Sequence, residues 1–205
     1  MKPKMRVDKK FFLAQNRATR RVMLAQDCID AVNAGRMIAK TGTYVGVIER
    51  DRSTNIGLAL SAKQAHVKGV SETDVCHALL DPDQACVVCA RGGLIAARIG
   101  YQHPADEDCD KNQIFKGKNL FVPDDAVLAS AKDFTQRQAA LMECAFERCD
   151  DLNHNFLSLD LRCAARRYGF SLSDIASERF TQIMQNVIDH NGTFVIPKEF
   201  YSGDD

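Results

Sequence analysis

The 205-residue chain has no excess of charge of either sign, since 27 Lys and Arg residues face 27 Asp and Glu residues. This balance gives no overall attraction for DNA, RNA or an anionic membrane, so on net charge we do not expect nucleic acid as a partner. The chain also has no apolar run near the ~18 residues of a membrane span, and residues 1–6 lack the apolar segment of a signal peptide. We therefore expect a cytoplasmic protein with no membrane partner.

The common catalytic signatures are missing as well. The sequence contains no P-loop, no G-x-G-x-x-G, no H-E-x-x-H and no G-x-S-x-G. The standard nucleotide, dinucleotide, zincin and hydrolase classes are therefore not indicated, and no cofactor is implied. Cysteine, by contrast, is abundant at eight residues. In a chain of this length without an export signal, we expect reduced thiols rather than a disulfide framework.

Hydrophobic periodicity predicts a mostly α fold of the α+β class, a single helical domain over residues 1–205 with a small β-hairpin or minor sheet. A charged loop over 102–119 is predicted to be mobile, and residues 1–8 and 198–205 are expected to be loose termini. The pattern predicts six helices, over 12–34, 72–80, between Asp83 and Gly100, after Thr135, 158–168 and 174–190. In the first of them, Arg17, Arg20 and Arg21 are predicted to lie on the solvated face. Strands are predicted within 37–49 and 193–196.

The segment from Cys86 to Ala97 is the most informative part of the sequence. Cys86, Cys89, Ala90, Gly93 and Ala97 fall at spacings of three and four, which on a helix would form one face of small residues. A glycine inside a helix costs roughly 1 kcal/mol relative to alanine, so close packing against another element is expected to compensate.

Three kinds of site are open around this segment. Cys86-x-x-Cys89 has the spacing of half a zinc site. Cys89, in the first turns of a helix and near Arg91, could act as a thiolate nucleophile with His154, or next His103, as its base. Packing is the commoner meaning of such cysteines. The third kind uses Arg91 and Arg98, which stand seven apart on the predicted helix and could together hold a phosphate or carboxylate, although a solvated face is the commoner meaning.

Four segments, in this order, resemble a family of uncharacterised bacteriophage and prophage proteins. They are Gly42-Thr43-Tyr44, Cys89-Ala90-Arg91-Gly92-Gly93-Leu94, QAALMECAFE over 138–147 and IMQNVIDHNGTFVIP over 183–197. The family usually has alanine where Gly93 stands here. The resemblance implies Tyr44, Glu147 and Asn186 as site residues.

We therefore expect a non-enzymatic phage accessory protein, acting in the cytoplasm of the host cell. It would counteract host defence by binding a small anionic molecule or a host protein. Tyr44 and Arg91 are expected to line one cavity, because an aromatic face and a guanidinium suit a planar anionic ligand. The alternatives are a hydrolase or transferase centred on Cys89 and, third, a zinc-stabilised interaction module.

Overall fold

Helices dominate the computed structural model, which describes residues 9–42, 45–49, 75, 78–79, 84–102, 133–149 and 156–201. A small three-stranded sheet accompanies them, so the mostly α, α+β prediction is confirmed. The elements are α1 (Lys9–Ala14), α2 (Arg17–Asn33), β1 (Met37–Ala39), β2 (Val45–Glu49), β3 (Gln84–Val88), α3 (Ala90–Gln102), α4 (Gln136–Glu147), α5 (Leu159–Ser171) and α6 (Ala176–Asp189).

The sheet has the order β1-β3-β2. β1 pairs with β3 in parallel and β2 pairs with β3 antiparallel, so β3 separates the two strands that a hairpin would have joined. The minor sheet is thus the correct one of the two alternatives. Because β1 and β3 are parallel, their carboxyl ends meet at one edge of the sheet.

The prediction that Cys86 and Cys89 share a helix face is wrong. Cys86 lies in the central strand β3, and α3 begins only after Cys89. The strand residues from Ala85 to Val88 are all buried. A continuous apolar run of this length fits a buried strand as well as a buried helix, and periodicity alone does not separate the two.

Helix boundaries follow local capping signals. The helix predicted over 12–34 is divided in two, because Asn16 caps α2 by accepting a hydrogen bond from the Thr19 N–H at 2.9 Å. Gly35 ends α2 as predicted, with a positive φ of 67°. Thr135 caps α4 through the Gln138 N–H. The helix predicted over 72–80 is described only at 75, 78 and 79, which are helical and buried.

The segment 193–196, predicted as a strand, joins no sheet in the described residues. Two side-chain amides hold it instead. Gln138 bonds the N–H and C=O of Phe194 at 2.8 and 3.2 Å, and Asn186 bonds those of Val195 at 2.9 and 2.8 Å. Each amide supplies one acceptor and one donor, as a neighbouring strand would.

Residues 198–201, the described part of the segment 198–205, differ from the expectation of a loose terminus. Residues Lys198–Phe200 form a 3-10 turn, and the Phe200 ring packs against Tyr168 with ring centroids 5.5 Å apart. Residues 1–8 and 202–205, and the predicted mobile loop beyond Gln102, lie outside the described residues.

The core centres on α3, which is buried at every residue from Gly92 to Tyr101. Gly93 meets α6 at close range, as predicted for the small residues: a Cβ atom there would lie 2.5 Å from Cζ of the buried Phe180. Within the described ranges, no helix is long and apolar enough to cross a membrane.

Candidate functional site

The carboxyl edge of the sheet gathers several of the predicted site residues. We call Gly42, Cys89, Arg91, Glu143 and Glu147 the sheet-edge cluster. The Gly42 N–H donates to Oε2 of Glu147 at 2.9 Å, and Nη1 of Arg91 lies 3.9 Å from Oε2 of Glu143. The carboxyl edge of parallel strands is a frequent position for ligand sites in α/β folds.

The Cys89 thiol is poorly suited to act as a nucleophile. Cys89 is 2% exposed, and burial raises the pKa of its thiol to about 12. The nearby carboxylates of Glu143 and Glu147 also contribute to this rise. The Gly92 N–H, 3.4 Å from Sγ, opposes the shift without overcoming it. Attack requires the thiolate. His103 and His154, the bases predicted for Cys89, lie outside the described residues.

The cysteine pair does not form part of a described metal centre. Cys86 donates from the buried strand to the carbonyl of Val75 at 3.6 Å. In the part of the chain that the structure describes, no group of three or more His, Cys, Asp or Glu residues could hold a metal ion. No disulfide joins any two of the described cysteines, namely Cys28, Cys86, Cys89, Cys144, Cys149 and Cys163.

The electrostatics of the sheet-edge cluster do not favour an anion. Glu143 faces Arg91, and the buried Arg179 acts on Glu147. Burial raises the pKa of Glu147, while the Gly42 N–H lowers it. Among the described residues, Arg91 and Arg179 are thus each opposed by a glutamate. Tyr44, the predicted partner of Arg91 across a cavity, lies outside the described residues.

The side-chain amide of Asn186 forms hydrogen bonds outside the sheet-edge cluster. Besides holding Val195, its amide donates to the Tyr168 hydroxyl at 3.1 Å. These bonds fix the extended segment after α6 onto the α6 surface. The described contacts of Asn186 therefore give it a packing role, away from the sheet-edge cluster.

A second group of charged residues surrounds Arg98, which lies at the opposite end of α3 from Arg91. Its side chain is 9% exposed, and its Nε lies 3.1 Å from Oδ2 of the buried Asp133. The first turns of α2 bring three more guanidinium groups to the same residue. Nε of Arg20 lies 2.6 Å from Oδ1 of Asp133, and both Arg17 and Arg21 donate to its backbone carbonyl.

We call Arg17, Arg20, Arg21 and Arg98, around Asp133, the arginine cluster. Burial lowers the pKa of Arg98, and burial followed by the neighbouring Arg17 lowers that of Arg21. In both cases Asp133 is the carboxylate that opposes the shift. Guanidinium groups nevertheless stay protonated in proteins. Among the described residues, the Asp133 carboxylate contacts Arg20 and Arg98, and its backbone carbonyl accepts from Arg17 and Arg21.

Burial increases across the arginine cluster from the surface to the interior. Arg17 is exposed, Arg20 and Arg21 are partly buried, and Arg98 is buried. The prediction that the three α2 arginines stay solvated is therefore correct only for Arg17. Among the described residues, Nη1 of Arg98 has no hydrogen-bond partner.

The distribution of charged residues along the sequence indicates this cluster, although the net charge of the chain does not. The first 26 residues carry one acid, Asp8, and eight bases, namely Lys2, Lys4, Arg6, Lys9, Lys10, Arg17, Arg20 and Arg21. A strong asymmetry of this kind indicates an anionic partner even where the whole chain is neutral.

Comparison with known proteins adds no assignment. No protein-family model matches the chain, and neither the curated proteins nor the solved structures contain a match.

Proposed function

We propose that this protein is a non-enzymatic binding protein for a phosphate-bearing ligand, with the arginine cluster as its binding site. One observation carries the proposal: four guanidinium groups converge on Asp133, the one carboxylate described among them. Arginine is the residue best suited to phosphate, because its planar group donates two parallel hydrogen bonds to a pair of oxygens.

The gradient of burial suits such a ligand. A phosphate would first meet Arg17 at the surface and then Arg20 and Arg21. The buried charge of Arg98 lies behind them, where it is less screened by solvent and salt. A bound anion would also relieve the repulsion among the four cations, so we expect binding to stabilise the fold.

Binding is favoured over catalysis because the candidate nucleophile, Cys89, is buried, and burial raises the pKa of its thiol to about 12. The predicted ligand residue Arg98 belongs to the proposed site, whereas Arg91 is opposed by Glu143 at the sheet-edge cluster. The resemblance to phage proteins supplies the setting that we propose, an accessory role in infection through a phosphate-bearing molecule of the host or phage.

Thermal unfolding in rising concentrations of pyrophosphate tests the proposal, with sodium chloride at equal ionic strength as the reference. The melting temperature should rise with the logarithm of the pyrophosphate concentration once that concentration exceeds the Kd, since a ligand at 100 times its Kd adds about 2.7 kcal/mol of stability. Arg17→Gln should weaken this response. Arg166→Gln, at an exposed arginine of α5, should leave it intact. Equal responses to the two salts, or equal responses of the two variants, would refute the proposal.

A further inference from the structure

Helix α1 is fixed at the border of the arginine cluster. Phe12 is fully buried and stacks on Tyr101 of α3, with ring centroids 4.1 Å apart. The guanidinium of Arg98 lies over the Phe12 ring, 4.9 Å from its centroid. Just after α1, the carbonyl of Gln15 accepts a hydrogen bond from Nη1 of Arg20 at 2.8 Å. The contacts of Phe12 and of the Gln15 carbonyl therefore hold α1 beside the cluster.

The outer surface of α1 combines cations with an exposed aromatic ring. Lys9 and Lys10 are exposed, and Phe11 is 54% exposed, although it follows them directly and precedes the buried Phe12. The exposed Arg137 stands in the first turn of α4, four residues after Asp133 in the chain. Exposed positive charge is thus present on α1 and on α4 in addition to the arginine cluster, which suits a ligand that carries several phosphates.

We infer that the phosphate-bearing ligand is single-stranded nucleic acid, bound through its backbone on the arginine cluster, with a base stacked on Phe11. The inference rests on the proposed function. Cationic surfaces that carry exposed aromatic rings are typical of proteins that bind single strands, because every base offers a π-face for stacking.

The convergence of the arginines favours a single strand over a duplex. Four guanidinium groups around one residue offer hydrogen-bond donors to neighbouring phosphates of a strand that bends at this point. A single strand bends to do so and exposes its bases. Duplex DNA is stiff over about 150 base pairs and keeps its bases stacked inside.

Fluorescence anisotropy with labelled oligothymidylate of about 20 nucleotides tests the inference at several salt concentrations. Affinity should fall with salt, with a log–log slope of about −0.7 for each phosphate contacted. Arg17→Gln should reduce the magnitude of the slope by about 0.7, and Phe11→Ala should weaken binding about tenfold. Leu13→Ala, an exposed apolar truncation on the same helix, and Arg166→Gln are matched controls that should bind as the unchanged protein does.

The outcomes separate the inference from the proposed function. If pyrophosphate stabilises the protein but oligothymidylate binds no more tightly than pyrophosphate, the inference fails and the proposed function stands. If neither binds, both fail. Tighter binding of a duplex of equal length would overturn the single-strand assignment. Capture by phosphatidylserine vesicles with the same dependence on Arg17 and Phe11, and no binding of oligothymidylate, would overturn it in favour of a lipid surface.

Discussion

Replacement of Asp133 by asparagine examines the electrostatic balance of the arginine cluster. Asp133 is 1% exposed, and its two carboxylate oxygens lie 2.6 Å from Nε of Arg20 and 3.1 Å from Nε of Arg98. Asp133→Asn keeps the shape but removes the charge, and it turns an amide donor toward one of the guanidinium groups. Loss of one partner from a buried ion pair destabilises a protein by about 3–5 kcal/mol. We expect a loss in that range.

Urea unfolding followed by circular dichroism gives the free energy of unfolding of both proteins. Pyrophosphate should restore more stability to Asp133→Asn than it adds to the unchanged protein, because the anion replaces the missing negative charge. Asp174→Asn is the matched control: Asp174 also pairs with an arginine, Arg148, but its side chain is 94% exposed. A loss below about 1 kcal/mol in Asp133→Asn, or no extra gain with pyrophosphate, would refute the reasoning.

Three further results are expected. Gly93→Leu should lower the free energy of unfolding by more than about 2 kcal/mol, since the first added carbon already lies 2.5 Å from the Phe180 ring; a similar loss in Arg166→Leu would show that burial is not the cause. Because burial raises the pKa of Glu147 in the folded state, that state binds the proton more tightly, and stability is lost as pH rises through the folded pKa. Glu147→Gln keeps an acceptor for the Gly42 N–H and should flatten this loss; an unchanged pH profile would contradict the assignment. Iodoacetamide should label the partly exposed Cys163 before Cys89, whose burial raises its pKa to about 12, as peptide mass spectrometry can show; earlier labelling of Cys89 would restore the nucleophile hypothesis.

The features predictable from sequence are those that depend on near neighbours. The Thr135 cap, the stop at Gly35 and the apolar face of α6 each follow from residues within one or two turns. The identity of β3 was not accessible in this way. Its pairing with β1 and β2, distant in sequence, decides that Cys86 lies on a strand.

The proposed site likewise combines a residue that the sequence predicts with contacts between residues distant in sequence. Arg98 was predicted as a ligand residue, yet the expected partner, Arg91, faces a different carboxylate at the other end of α3. Whether an arginine is solvated or gathered around a buried acid depends on Asp133, more than a hundred residues from Arg20 along the chain. No local pattern carries that information, although the basic composition of the first 26 residues signals an anionic partner.

The most direct measurement of the central claim is a proton–nitrogen NMR spectrum of the arginine Nε–H groups, recorded while pyrophosphate is added. The proposal predicts that the signals of Arg17, Arg20, Arg21 and Arg98 move together and saturate, while Arg148, which donates to Gly169, Leu172 and Ser173, stays unchanged. Movement confined to Arg91, or equal movement of every exposed arginine, would contradict the claim.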